Sequence, residues 1–277
     1  MADKPVFYLI DGHAVAYRQY FGLPARSFNT SSGEPTNATY GFTRILLDIL
    51  FKDRPQYLAV SFDEGLSGRD ELYADYKGTR AKMEDDLHRQ MSRIRQMVEA
   101  FNIPILSLEG YEADDVIGTV ITQADDVHCH IITGDRDLLQ LLDERVTVAL
   151  PSRQGPDTVY DIAQFEEKYA LRPDQLVDMK ALMGDPSDNI PGVKGIGEKT
   201  ATTLLQTYDT LDAVYHNIES IKGATRKRLE AGREMAYISR DLARIRRDVP
   251  LELTLAACVA DDFDHERVLE LFQELEF

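Results

Sequence analysis

Short apolar runs alternate with 3.6-residue periodicities along the first half of the chain, and helical periodicity alone follows in the second. Val6-Phe7-Tyr8-Leu9-Ile10 is continuously apolar, the pattern of a strand buried on both faces of a parallel sheet, and it ends in Asp11-Gly12. Residues 13–37 are mixed and rich in Ser, Thr, Asn and Gly, which reads as a loop, and residues 38–50 then carry helical spacing through Phe42, Ile45, Leu46 and Ile49. A second strand at 57–62 ends in Asp63, an amphipathic helix spans 91–101, a third strand spans 103–108, and a fourth at 128–133 leads to a helical stretch at 138–142. Beyond 150 the alternation stops. Asp161 reads as the cap of a helix at 162–169, Pro173 opens a helix to Met183, a Gly-rich hairpin leads into a helix at 199–208, and 264–275 is a last amphipathic helix. The pattern predicts an α/β protein with a mostly parallel central sheet flanked by helices, followed by a helical lobe.

Acids recur where strands end. Asp11, Asp63, Glu112, Asp114, Asp115, Asp135 and Asp137 all follow strands, and an open α/β sheet gathers its ligands at the strands' carboxyl ends, so these seven are expected to converge. Three of them fall within the four residues 112–115, more than helix capping needs. Like charges about 4 Å apart repel by roughly 4 kcal/mol per pair even at an effective dielectric near 20. Bound divalent cations would resolve that repulsion. An all-carboxylate set without His or Cys suits Mg²⁺ or Mn²⁺, and the surplus of acids suggests two ions roughly 3.5–4 Å apart acting on a phosphate ester. His128 and His130 alternate on the fourth strand but lack further ligands for a zinc site, so they read as structural.

Residues 182–201 hold two chemistries side by side. Asp185 and Asp188, three apart around a turn, can face one hard cation. Gly192, Gly195 and Gly197 allow a tight hairpin, and the helix opening at Glu198-Lys199-Thr200 can take a phosphate at its N-terminus. Glu198 stands where a Walker A loop needs lysine, and the third glycine of a dinucleotide fingerprint is absent, so both nucleotide readings fail. Taken alone, the glycines also fit an ordinary helix-turn-helix corner.

The 277 residues suggest two domains, expected as a metal-binding core at 1–172 and a helical lobe at 173–277. A net charge of -17 argues at first against nucleic acid. Its distribution argues otherwise. Arg69, Lys77, Arg80, Lys82 and Arg89 interleave with Tyr73 and Tyr76 in 66–90, the composition of a mobile segment that meets a phosphate backbone and stacks on bases. Lys194 and Lys199 flank the hairpin, and further basic clusters run through 222–233 and 240–247. Cys129 and Cys258 read as buried thiols, and the apolar runs are too short for a membrane helix. The expectation is a soluble cytoplasmic protein with no membrane partner.

Ile10-Asp11-Gly12, Phe62-Asp63, Tyr76-Lys77-Gly78-Thr79-Arg80, 110–117, 134–141 and 182–201 together resemble, in that order, the motifs of the bacterial 5′ nuclease (flap endonuclease) family, most nearly the N-terminal 5′→3′ exonuclease domain of DNA polymerase I. The resemblance implies a PIN-like core, a helical arch at 66–90 and a helix-three-turn-helix motif at 185–207. It implies one metal among Asp11, Asp63, Glu112, Asp114 and Asp135, a second among Asp135, Asp137, Asp185 and Asp188, and Asp115 in support. Lys77, Arg80 and Lys180 would place positive charge on the scissile phosphate. Arg69 and Tyr76 would meet DNA from the arch, and Gly192, Val193, Lys194, Gly195, Ile196, Gly197, Lys199 and Thr200 from the hairpin, with a K⁺ at 192–197. Gly68 and Ala81 depart from the family, which has Phe and Pro there. The implied protein is a monomeric, Mg²⁺-dependent 5′→3′ exonuclease and flap endonuclease of the nucleoid, acting on DNA flaps, 5′ ends and RNA–DNA primer junctions in replication and repair, with a polymerase domain as a possible covalent partner. A catalytically silent DNA-junction binding module is the alternative.

Overall fold

A computed structural model describes residues 4–65, 67–79, 82–152, 155–260 and 262–277. Among these, six strands form one sheet in the order β3-β2-β1-β4-β5-β6. They are β1 (Val6–Asp11), β2 (Tyr57–Ser61), β3 (Ile105–Leu106), β4 (His128–Ile132), β5 (Val146–Leu150) and β6 (Thr158–Tyr160). The first five are parallel, and β6 returns antiparallel on β5. Strand order reverses beside β1, which lies between β2 and β4, so the carboxyl ends of these strands frame the crevice that ligands of such sheets use.

Helices cover both faces. On one side α1 (Gly12–Gly22), α2 (Asn37–Asp48) and α4 (Asp85–Ala100) pack with Phe42, Leu46, Met97 and Phe62 in a common core, joined by α12 (His265–Leu275) through Leu271 and Leu275. On the other, α5 (Ala113–Gln123) sets Val116, Ile117 and Val120 against Phe7, Leu9 and Ile131. That second core runs without a break into the helices beyond 160. They are α6 (Ile162–Tyr169), α7 (Leu176–Met183), α8 (Glu198–Tyr208), α9 (Leu211–His216), α10 (Gly223–Ala231) and α11 (Arg233–Ala243). Among the described residues no helix is long and apolar enough to cross a membrane.

Several elements differ from the sequence expectation. The stretch read as loop after β1 is helix α1, capped by the Asp11 carboxylate on the Ala14 amide at 3.0 Å. Only Gly12, Val15 and Ala16 of α1 are buried, so no periodicity announces it. Strand β5 had no counterpart in the sequence expectation, and β6 lies past residue 150, where strands were expected to stop. The helical stretch after β4 is a 3₁₀ turn, Arg136–Leu141. Within 66–90 the described chain forms the four-residue α3 (Arg69–Leu72), consecutive turns to residue 79, and then α4 from Asp85.

Candidate active site

The strand ends open into one cleft of about 1080 Å³, lined by Asp11, Asp63, Glu112, Asp114, Asp135, Asp137 and Asp185, with Lys77, Lys82 and Lys180 facing them. Seven of the nine acids expected at metals are thus brought together. Each is placed by local backbone. Asp11 is the last residue of β1 and accepts from Thr133 Oγ1 at 2.7 Å as well as from Ala14. Asp63, just past β2, accepts the Ala113 amide at 2.7 Å and so ties β2 to the start of α5. Glu112 is the residue before α5 and Asp114 lies in its first turn. Asp135 caps the 3₁₀ turn after β4 by accepting the Asp137 amide at 2.8 Å. Asp185 follows α7 and accepts the Ser187 amide at 2.9 Å.

Electrostatics divide these carboxylates into two groups. Burial, reinforced by neighbouring Asp63 and Asp135, pushes the Asp11 carboxyl up to about 7 against the opposing bonds from Ala14 and Thr133. Asp137 is likewise pushed up to about 7, by burial first and Asp135 next. Asp114 is raised well above the usual carboxylate range by burial, Asp135, Asp11 and Glu112. Glu112 and Asp185 behave oppositely. Burial is the largest effect on each and raises it, yet Lys77 and Arg69 hold Glu112 below its ordinary value, and Lys180 does the same for Asp185. Lys77 Nζ lies 2.9 Å from Glu112, and Lys180 Nζ bridges Asp137 and Asp185. Lys180 is nearly buried, but Asp137 and Asp185 outweigh the burial and keep its ammonium charged.

Among the described residues no three acid, histidine or thiol side chains are drawn together at the geometry that closes around a metal ion. The protein's own donors, Lys77, Lys180, Thr133 and four amides among them, hold these carboxylates. The donor set nonetheless fits a hard divalent cation. It is all oxygen, it faces one cleft, and three of its members resist ionisation because they are buried, and then because they lie among like charges.

Two expected residues take other roles. Asp115 does not line the cleft. It is fully buried and bonded to Arg69 through both oxygens, at 2.8 and 2.7 Å, while also accepting the Arg246 amide at 2.8 Å. One residue advances a helix by about 100°, so Asp114 and Asp115 cannot share a face. Arg69, expected at DNA, is 4% exposed and also donates to the Arg244 carbonyl at 2.9 Å, so this pair locks α3 and α5 to the chain after α11. Asp188 is buried and does not line the cleft. Its carbonyl accepts the Lys77 amide at 2.9 Å, and its charge raises Asp137. The Tyr76 hydroxyl donates to Glu112 at 3.4 Å, and Arg80 lies outside the described residues.

The hairpin after Asp188 is packed against the end of α7. Asp185 and Ile190 exchange backbone bonds of 2.9 and 2.8 Å, and the Val193 amide donates to the Leu182 carbonyl at 2.9 Å. Gly192 takes φ +61°, and a Cβ there would lie 2.2 Å from the Gly184 nitrogen. Val193 and Ile196 are buried core side chains and the Gly192 amide is taken by Ser239, so these three cannot reach DNA as expected except through remaining peptide groups. Lys194, Gly195, Gly197 and Lys199 are exposed and Thr200 is half-buried. Sequence reasoning missed His13 and Arg136, which also line the cleft. His13 Nδ1 accepts the Asp63 amide at 3.0 Å, and burial keeps its imidazole neutral. Its place two residues after a strand-end aspartate was the available signal.

A family model described as "5'-3' exonuclease, N-terminal resolvase-like domain" matches residues 6–170, and one described as "5'-3' exonuclease, C-terminal SAM fold" matches 171–266. Fold and acidic cleft are therefore those of an exonuclease. The chain belongs to the 5′-3′ exonuclease family. It is 48% identical to DNA polymerase I of Chloroflexus aurantiacus over 279 aligned residues, covering 99% of this chain and 30% of that protein. It is 45% identical to DNA polymerase I of Caldicellulosiruptor bescii, covering 97% of this chain and 32% of that protein. The chain thus spans about a third of the length of these relatives. Its fold matches the bacteriophage T5 flap endonuclease in a pseudo-enzyme-product complex with DNA and metal ions, with a TM-score of 0.69, 20% identity, and 98% of this chain and 100% of that chain covered.

Proposed function

We propose that this chain is a Mg²⁺-dependent, structure-specific 5′ nuclease that hydrolyses phosphodiester bonds at 5′ flaps, 5′ ends and RNA–DNA primer junctions. The convergence of seven carboxylates on one cleft, three of them reluctant to ionise, carries the reading. Asp11, Asp63, Glu112, Asp114 and Asp135 would hold one divalent cation, and Asp135, Asp137 and Asp185, with the buried Asp188, a second. Asp115 supports them indirectly by holding Arg69. When bound, such ions supply Lewis acidity and charge neutralisation at the scissile phosphate.

The chain's own groups do the rest. Lys77 and Lys180 sit among the acids and would exchange one carboxylate contact for the phosphate oxygens, whose negative charge builds in the transition state. Arg80 and Tyr76 would assist from the arch side. Neutral His13 fixes the Asp63 backbone and so the start of the cleft wall. Peptide groups of 192–197, together with Lys194, Lys199 and Thr200, would hold the duplex backbone, with a K⁺ at the hairpin carbonyls. The core at 1–172 would then cut what the lobe at 173–277 positions. The proposed protein is a monomer in the cytoplasm, and a polymerase domain is its proposed covalent partner because the relatives that it matches over about a third of their length are DNA polymerase I.

The test uses a flap duplex labelled at its 5′ end, incubated with Mg²⁺ or with EDTA. A labelled product ending near the junction, formed only with the metal, supports the reading. Tight binding with no cleavage under Mg²⁺ or Mn²⁺ would leave a silent junction-binding module instead.

A further inference from the structure

The 192–197 hairpin carries a fixed cation from a different element. Arg228 of α10 is exposed, and its Nη1 donates to the Gly195 carbonyl at 3.0 Å. Gly195 has φ +87°, and a Cβ built on it would fall 2.9 Å from Arg228 Nε and 3.2 Å from Cδ and Cζ. The guanidinium therefore rests directly on the hairpin, at a residue whose positive φ favours glycine. Beneath it the hairpin is rigidly seated, with Val193 2% exposed and the Gly192 amide bonded at 2.9 Å to the fully buried Ser239 hydroxyl.

Charge leaves this contact open to an anion. Arg226, two residues earlier, is neutralised by Glu219 and Glu230 at 2.7 Å each, and Arg240 is paired to Asp212 at 2.9 Å. Among the described residues no carboxylate pairs with Arg228. A guanidinium has five N–H donors in a planar fork, so bonding one carbonyl leaves most of them for an anion. In a chain of net charge -17, an unneutralised and preoriented cation on the hairpin is a specific asset for phosphate capture.

We propose that Arg228 is a duplex-positioning residue that binds a backbone phosphate of DNA lying over the hairpin, holding that DNA in register with the cleft. The proposal rests on the reading of the hairpin as a DNA-backbone site. Its test is the affinity of the chain for a 5′-flap duplex in EDTA, measured against KCl concentration for the wild type, Arg228→Ala and Arg228→Lys, with unfolding midpoints recorded alongside. Loss of one phosphate contact lowers the slope of log K against log salt by about 0.9 in magnitude. Arg228→Ala is expected to show that change and to weaken binding about tenfold, with its unfolding midpoint kept. Arg228→Lys should recover the slope, because the charge remains. Weaker binding at an unchanged slope would reduce Arg228 to a brace for Gly195 and overturn the proposal, as would unchanged binding. A wild type that shows no salt-dependent binding would overturn the hairpin reading itself, and that outcome is read without any variant.

Discussion

Lys180 shows how one side chain sets the state of the cleft. Its ammonium touches Asp137 and Asp185 while remaining nearly buried, so removing it leaves two carboxylates facing each other in a poorly hydrated site. Breaking such a pair from one side costs roughly 3–5 kcal/mol. Lys180→Met is expected to lower the urea unfolding midpoint in EDTA, and added Mg²⁺ should restore more of the loss than it adds to the wild type. Arg69 and Asp115 give the complementary case. Because both are buried in one bidentate pair, Arg69→Ala should destabilise the fold by roughly 3–5 kcal/mol while leaving the salt slope of DNA binding unchanged. A reduced slope would return Arg69 to the DNA-contacting set. Sequence could name the acids 112–115 but not sort them, since spacing along a helix gives faces only once its packing partners are known. Arg244 and Arg246, whose backbone completes the Arg69–Asp115 site, lie far along the chain.

At the scale of elements, the strands that end in acids were legible because burial on both faces leaves continuous apolar runs. Helix α1 was not, since only three of its residues are buried and its cap is also a cleft residue. Strand β6 hides for a related reason, being a three-residue edge strand with two exposed positions. The hairpin was legible from its glycines, but its tie to the cleft was not. Backbone bonds between 182–185 and 190–193 make the hairpin and Asp185 one rigid unit, and Asn189 further ties it to the Asp75 carbonyl at 2.7 Å. Gly192→Ala places a Cβ against the Gly184 nitrogen at positive φ, a strain of about 1–3 kcal/mol before the clash is counted. The expected result is a lower unfolding midpoint together with weaker flap binding, and normal values for both would show that the hairpin yields freely.

Across the whole molecule, the proposed action of an acidic chain on a polyanion depends on how its charge is distributed. Acids converge at the strand ends, while cations anchor on the hairpin side, which net charge alone concealed. The same segregation sets a pH dependence. Asp11 and Asp137 titrate near 7 when folded against 3.8 ordinarily, so between these values the folded state holds more protons than the unfolded one. Their contribution to stability is present below about pH 4 and is lost as pH rises through about 7. Glu112 and Asp185, held below their ordinary values, contribute above about pH 4 and lose that contribution as pH falls. The thermal unfolding midpoint in EDTA should therefore fall from pH 5 to pH 8, and Mg²⁺ should flatten the decline. In the proposed function the clustered carboxylates perform phosphodiester cleavage rather than merely shape the fold. The test is single-turnover cleavage of a labelled 5′ flap duplex by the wild type and Asp135→Ala, with binding measured in parallel. The expected result is a loss of about a thousandfold or more in the cleavage rate with binding held within about twofold. Cleavage by Asp135→Ala at the wild-type rate and position would contradict it.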